Sequence, residues 1–305
     1  MQQTKHASGE PKPPESVGLI GLGLMGAALA ERLLKGGLRV IGYDLNPARC
    51  RVLSNLGGEP VADAAAVVDA CHVVLLSLPD SVVVEQVLTE VTDDLRPGQV
   101  IIDTSTGDPT RAGALGERLA QLGVKYLDAT VSGSSAQVRA GEVTVMVGGS
   151  DAAFKKIRAI FDLFARHTFR VGPCGSGSTM KLVTNLVLGL NRAALAEGLS
   201  FAKALGLELP QALEVLRKSM AYSRIMDTKG AKMVSGEFEA QAKLSQHLKD
   251  VRLILAAGMG TGTDLPLSRT HRELLEAAEA AGLGQLDNSA IIRVFERATK
   301  LEKPE

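Results

Sequence analysis

The chain carries no surplus of either charge: 34 basic residues balance 34 acidic ones. It therefore has no global basic field to attract nucleic acid or an anionic membrane surface. No apolar run approaches the roughly 18 residues that a membrane-spanning helix needs. Cysteine is scarce, and Cys50, Cys71 and Cys174 are dispersed and odd in number. They offer neither a disulfide framework nor metal-ligand spacing, and they fit reduced thiols in a cytoplasmic protein. The five histidines are equally scattered. With no HxxxH or HExxH pattern, no metal site is expected. The opening stretch, residues 1–15, lacks the apolar core of a signal peptide and reads as a disordered, proline-rich tail.

What remains is long and apolar enough for two cores: 305 residues, 45% of them hydrophobic. Residues 17–21 (VGLIG) are a short buried-strand signal that runs directly into the glycines Gly21, Gly23 and Gly26. Leu24–Lys35 then has the pattern of a helix, and Leu38–Asp44 that of a second strand. A G-x-G-x-x-G between strand and helix is the layout of a dinucleotide-binding turn. The first glycine allows the tight turn, the second admits a pyrophosphate to the backbone, and the third lets helix pack on strand. The phosphates would lie at the positive helix N-terminus. Asp44 follows Gly26 by 18 positions, near the spacing at which an acid meets the adenosine ribose. That carboxylate favours NAD, while Arg49 and Arg51 beyond it soften the preference and keep NADP open.

Further strands are expected at 73–78, 100–103, 125–129, 143–147 and 169–171, with helical patterns between them. The alternation predicts a mostly parallel, doubly wound α/β sheet of the Rossmann type. Leu78-Pro79 and Ser105 then fall in loops at the carboxyl edge, where such sheets hold ligands. Ser132, Gly133, Ser134 and Ser135 form a run of small residues after a strand, with donors suited to binding a carboxylate.

The chain changes character at 172–206. Glycines at 172, 175 and 177 precede Ser178, a candidate N-cap, and no proline interrupts before Gly206, a candidate stop. Apolar residues recur at three and four through Leu182, Leu186, Leu190, Leu199, Phe201 and Leu205. A helix of about 28 residues would be roughly 42 Å long. Lys181 and Asn185 share one face near its start. From Pro210 onward the patterns are all helical, at 210–220, 221–234, 240–259, 266–281 and 288–299. Three segments follow: the tail at 1–15, a dinucleotide-binding domain at 16–177, and an all-helical domain at 178–305. The interdomain helix spans 178–206.

Together these motifs resemble the β-hydroxyacid dehydrogenase family, which includes 3-hydroxyisobutyrate dehydrogenases and tartronate semialdehyde reductases. GLIGLGLMG at 18–26 is similar to its cofactor loop and DATVSG at 128–133 to its substrate loop. GSGSTMKLVTN at 175–185 is similar to its catalytic motif, and QHLKD at 246–250 to a later cofactor-reaching segment. The likeness extends from about Val17 to the end. It departs at Thr130, where the family usually has proline, and at Ser134, where it usually has glycine.

The resemblance implies that Lys181 is catalytic and that Asn185, Ser132, Gly133 and Ser134 contact substrate. It implies cofactor contacts at Gly21, Gly23, Leu24, Met25, Gly26, Asp44, Leu78, Pro79, Ser105 and Lys249. A lysine there can exchange the alcohol proton without a metal, and an asparagine one turn on can orient the substrate without adding charge. The implied activity is hydride transfer between NAD, or NADP, and a small 3-hydroxy acid or semialdehyde. The competing reading is a non-catalytic dinucleotide-binding or interaction module on the same scaffold. His247 reads as a solvated helix position. The long helix and the apolar faces after it predict a homo-oligomer, dimer or tetramer.

Overall fold

The structure, a computed structural model, describes residues 14–301. The predicted tail at 1–15 lies outside the described residues except for Pro14 and Glu15. The chain divides into two compact units, the first ending at Lys181 and the second beginning at Leu182.

The first unit alternates strands and helices. Ser16–Ile20 (β1), Leu24–Lys35 (α1) and Arg39–Tyr43 (β2) are followed by Pro47–Asn55 (α2), the two-residue Glu59–Pro60 (β3) and Ala64–Ala70 (α3). Val73–Leu76 (β4), Ser81–Glu90 (α4), Val100–Asp103 (β5) and Pro109–Gln121 (α5) continue the pattern. Lys125–Ser132 (β6), Ser135–Ala140 (α6), Val143–Gly148 (β7), Asp151–Asp162 (α7) and Ala165–Gly172 (β8) complete it. The sheet order is β3-β2-β1-β4-β5-β6-β7-β8. Every pairing is parallel except β6 with β7, which is antiparallel.

The alternation of side chains along each strand feeds two cores. Val73 and Leu75 of β4 face the layer of α1, α6 and α7, with Leu29, Val138 and Phe161. Val74 and Leu76 face the layer of α3, α4 and α5, with Val67, Leu88 and Leu119. Strands buried on both faces must be apolar throughout, which is why they read as continuous runs. Three local patterns differ from expectation. β4 stops at Leu76 rather than at 78: Ser77 N–H makes the last bond to β1, at Ile20 O, where that strand itself ends. β8 runs from Ala165 rather than 169, as an edge strand whose mixed polar sequence hides it. β3 and α6 are too short to leave a period.

Ser176–Ala204 (α8) carries the chain from one unit into the next. The second unit continues with Leu209–Lys218 (α9), Arg224–Ser235 (α10), Leu244–Thr261 (α11), Pro266–Ala280 (α12) and Ile292–Leu301 (α13). The last predicted helix opens instead as a 3₁₀ turn at Asn288–Ile291. The core gathers Leu195, Ala196 and Leu199 of α8 with Leu213, Met226, Leu248, Leu275 and Ile291. Phe201 and Leu205, predicted on the apolar face of α8, are instead 64% and 62% exposed. Lys229 and Asp287 form a buried ion pair at 2.8 Å. Burial opposes the Asp287 charge, but the Lys229 and Ser289 hydrogen bonds outweigh it and hold the carboxyl at about 2.

Candidate dinucleotide and active site

β1 hands directly to the glycine turn. Gly21 has φ +93°, and a Cβ there would lie 2.3 Å from Ser77 O. A Cβ on Gly26 would lie 2.0 Å from Gly21 O. These two glycines are demanded by the fold itself. Gly23 is not: a Cβ there would meet nothing within 4 Å. Gly23 is also the N-cap of α1 and supplies no side-chain cap. The helix thus begins with main-chain donors and a positive end that no capping side chain claims. Leu24 of its first turn is exposed, and Met25 packs against the core.

Asp44, just past β2, organises this turn. Its Oδ2 accepts from Leu22 N at 2.8 Å and its Oδ1 from Asn46 N at 2.8 Å. Arg49 Nη1 lies 3.2 Å from Oδ2. An open cradle above Gly23, an uncapped helix end and a carboxylate at the next strand fit a dinucleotide, with pyrophosphate on the turn and ribose toward Asp44.

The next two carboxyl-edge loops are tied together. Leu78 N–H donates to Ser105 Oγ at 2.9 Å, which fixes the Leu78-Pro79 turn. Ser105 N–H in turn donates to Asp103 Oδ1 at 2.8 Å, and Tyr126 OH to Asp103 Oδ2 at 2.6 Å. Burial raises the Asp103 carboxyl, partly countered by Ser105 and Tyr126.

The seat of α8 is built from β6. Asp128 Oδ1 accepts from Gly175 N at 2.8 Å and Oδ2 from Ser178 N at 2.7 Å. Ser178 is therefore not the N-cap expected from the sequence: the helix starts at Ser176, and Asp128, 50 residues back, takes the orphan amides. Thr130 Oγ1 donates to Gly177 O at 2.9 Å. Only glycine fits at 177, where a Cβ would lie 2.1 Å from Asp128 O. One turn into this anchored helix, Lys181 is buried and its Nζ donates to Val131 O at 2.7 Å. Ser132 and Gly133 follow directly in the chain. Ser134 corrects the expectation of a run of unencumbered donors. It caps α6, its N–H donating to Gln137 Oε1 and its Oγ accepting from Gln137 N.

In the second unit, Asn185 is buried and its Nδ2 donates to Asp250 Oδ2 at 3.0 Å. Lys249 Nζ lies 3.9 Å from Asp250 Oδ1. His247 is buried, contrary to the solvated position expected. Its ring packs 5.2 Å from that of His271, and its Nε2 lies 3.4 Å from Arg192 Nη2. Gly189 makes room for both imidazoles, since a Cβ there would lie 2.5 Å from His247 Nε2. Burial lowers Arg192 to about 10, and burial together with the Arg192 charge lowers His271 to about 4. Arg192, His271, Asp128 and Asp250 went unassigned from the sequence. Asp128 opens the DATVSG motif, but the amides it caps are far along the chain. Arg192 follows Asn185 by seven positions, two turns on the same face.

The NAD binding domain of 6-phosphogluconate dehydrogenase matches residues 16–172. The NAD-binding domain of NADP-dependent 3-hydroxyisobutyrate dehydrogenase matches 175–295. The 2-(hydroxymethyl)glutarate dehydrogenase of Eubacterium barkeri is 34% identical, over 93% of this chain and 95% of that one. The chain belongs to the β-hydroxyacid dehydrogenase family. This dehydrogenase is NAD(P)-dependent and acts in hydroxy acid chemistry. The 2-hydroxy-3-oxopropionate reductase of Escherichia coli K12 is 32% identical to it, over 92% of this chain and 97% of that one. The crystal structure of 3-hydroxyisobutyrate dehydrogenase from Salmonella typhimurium superposes with TM-score 0.85 at 30% identity, covering 92% of this chain and all of that one. Among the described residues no helix is long and apolar enough to cross a membrane, and no His/Cys/Asp/Glu group could hold a metal.

Proposed function

We propose that this dehydrogenase moves a hydride between NAD(P) and a small 3-hydroxy acid or its semialdehyde, with Lys181 as general acid and base. The substrates named for two relatives, 2-hydroxy-3-oxopropionate and 3-hydroxyisobutyrate, define the size and type. The observation that carries the reading is Lys181 itself. Its Nζ is buried on an anchored helix and bonded to the carbonyl that immediately precedes Ser132-Gly133.

The nicotinamide, when bound, supplies the hydride acceptor or donor. Neutral Lys181 takes the hydroxyl proton as the carbonyl forms; as the ammonium it returns a proton to the carbonyl oxygen. Asn185, one turn on, orients the hydroxyl or carboxylate. Ser132 and Gly133, just before the head of α6, receive the carboxylate. Gly21, Gly23, Leu24, Met25 and Gly26 hold the pyrophosphate, and Asp44 the ribose. Leu78, Pro79 and Ser105 line the cofactor side.

The free thiols at Cys50, Cys71 and Cys174 support a cytoplasmic enzyme. The exposed Phe201, Leu205 and Met220 support a homo-oligomer. The test of function is a panel of three- and four-carbon hydroxy acids and semialdehydes, assayed with NAD and NADP at the nicotinamide absorbance. Turnover confined to 3-hydroxy acids or their semialdehydes is expected. Bound cofactor without turnover on any member would replace the reading with a non-catalytic dinucleotide-binding module.

A further inference from the structure

Arg192 of α8 is the largest fully buried side chain among the described residues. Burial lowers it to about 10, so it is still a cation at neutral pH. A buried charge left without a partner is strongly unfavourable, and folds normally answer it with an ion pair. The carboxylates whose charge Arg192 feels are Asp250 and Asp287. Asp250 Oδ2 accepts from Asn185, and Asp287 accepts from Lys229, Ser289, Gln241 and Ala242. Among the described residues Arg192 bonds only to His247 Nε2, 3.4 Å from its Nη2. A guanidinium only donates, so that ring nitrogen accepts. Arg192 Nε and Nη1 meet no acceptor among the described residues, and His271 Nε2 has no partner there. Both imidazoles press on one point of α8: a Cβ at Gly189 would lie 2.5 Å from His247 Nε2 and 2.7 Å from His271 Cε1. This knot of α8, α11 and α12 is rich in donors and short of acceptors.

We propose that the second unit carries a small monovalent anion, a halide such as chloride, beside Arg192, with His271 Nε2 as a further donor. The anion is the counter-ion that the chain itself does not supply. A water could satisfy donors there but would leave the charge uncompensated. The ligand has to be small, because Arg192, His247 and His271 are only 2%, 5% and 3% exposed. Arg192 lies about 10 Å along α8 from Asn185, so the site is separate from the residues assigned above to substrate and cofactor. Its effect is on folding: an anion that binds only the folded unit stabilises it as its concentration rises.

Crystals of the wild-type chain grown in bromide give the direct test, because bromide substitutes for chloride and scatters anomalously. An anomalous peak among Arg192, His247 and His271 is expected. Peaks confined to surface cations, an adventitious ion only, or a water at that position would overturn the site. In solution, bromide is raised from about 1 mM to about 100 mM while sodium gluconate holds ionic strength constant. One bound ion should raise the wild-type folding constant about threefold or more across that range, read from urea unfolding. Arg192→Met, which exchanges the buried charge for an apolar chain, should lose that response. Arg252→Met, at an exposed arginine, should keep it. An equal response in Arg192→Met, or none in wild type, would overturn the proposal. Should Arg192→Met fail to fold, the bromide crystals and the wild-type titration decide alone.

Discussion

Lys181 Nζ donates to the main-chain carbonyl of Val131 at 2.7 Å, across 50 residues of sequence. The bond joins the first turns of α8 to the end of β6. It aims the ammonium at the stretch that carries Ser132 and Gly133, so the proposed proton-exchanging group and the proposed carboxylate-binding loop are set by one contact. Replacing Lys181 with alanine should lower turnover by roughly 10²–10⁴-fold, the usual worth of a positioned acid or base. NADH affinity, measured by titration, should be unchanged. Wild-type turnover in that variant would end the mechanism.

Asp128 touches no substrate in this scheme, yet activity should depend on it. Asp128→Asn keeps one acceptor and turns an N–H₂ toward an amide donor at the start of α8. The expected cost is about 1–3 kcal/mol of stability for the orphaned buried amide, read from urea unfolding, together with a fall in kcat as Lys181 loses its seat. An unchanged kcat would show that Lys181 is placed without the cap.

The glycine turn separates folding from binding. Gly26→Ala drives a Cβ to 2.0 Å from Gly21 O, and should cost about 1–3 kcal/mol by overpacking. Gly23→Ala meets nothing within 4 Å and has φ −64°, so the fold should be spared. Its stability should stay within about 0.5 kcal/mol of wild type, while NADH affinity falls at least tenfold because the methyl occupies the phosphate approach. Undiminished affinity would remove the pyrophosphate from this turn.

His271 gives the second unit an acid sensitivity. Its folded-state value is about 4 against an ordinary 6.5, lowered by burial and by Arg192. Below pH 6.5 the unfolded chain takes up a proton that the folded chain refuses, so stability falls as pH drops to 4. The full shift corresponds to about 3 kcal/mol. Urea unfolding of wild type and His271→Asn across pH 4–7 should show a smaller acid loss in the variant; parallel curves would contradict the shift.

Phe201 near the end of α8 and Leu205 just beyond it are exposed. If copies of this chain pair there, Phe201→Glu with Leu205→Lys should reduce the mass measured by light scattering. A wild type that is monomeric at micromolar concentration would overturn the oligomer.

The sequence by itself determined the alternating α/β order, because a residue's neighbours along the chain set its period. Val73–Leu76 and residues 100–102 are apolar on both faces since helices cover both, and that shows as an unbroken run. It also determined the glycine turn and the shared face of Lys181 and Asn185, since those groups lie within a turn or two of one another in sequence. Tertiary structure decided everything that depends on distant partners. Asp128 became the cap of α8 in place of Ser178, and Ser134 became a helix cap rather than an open donor. His247 went into a core with His271 of α12 and with Arg192 of α8, 55 residues back in sequence. Asp44, read as the acid that meets the ribose, also accepts the amides of Leu22 and Asn46 and pairs with Arg49. A residue type announces what it can bind; only the fold determines which partner has already claimed it.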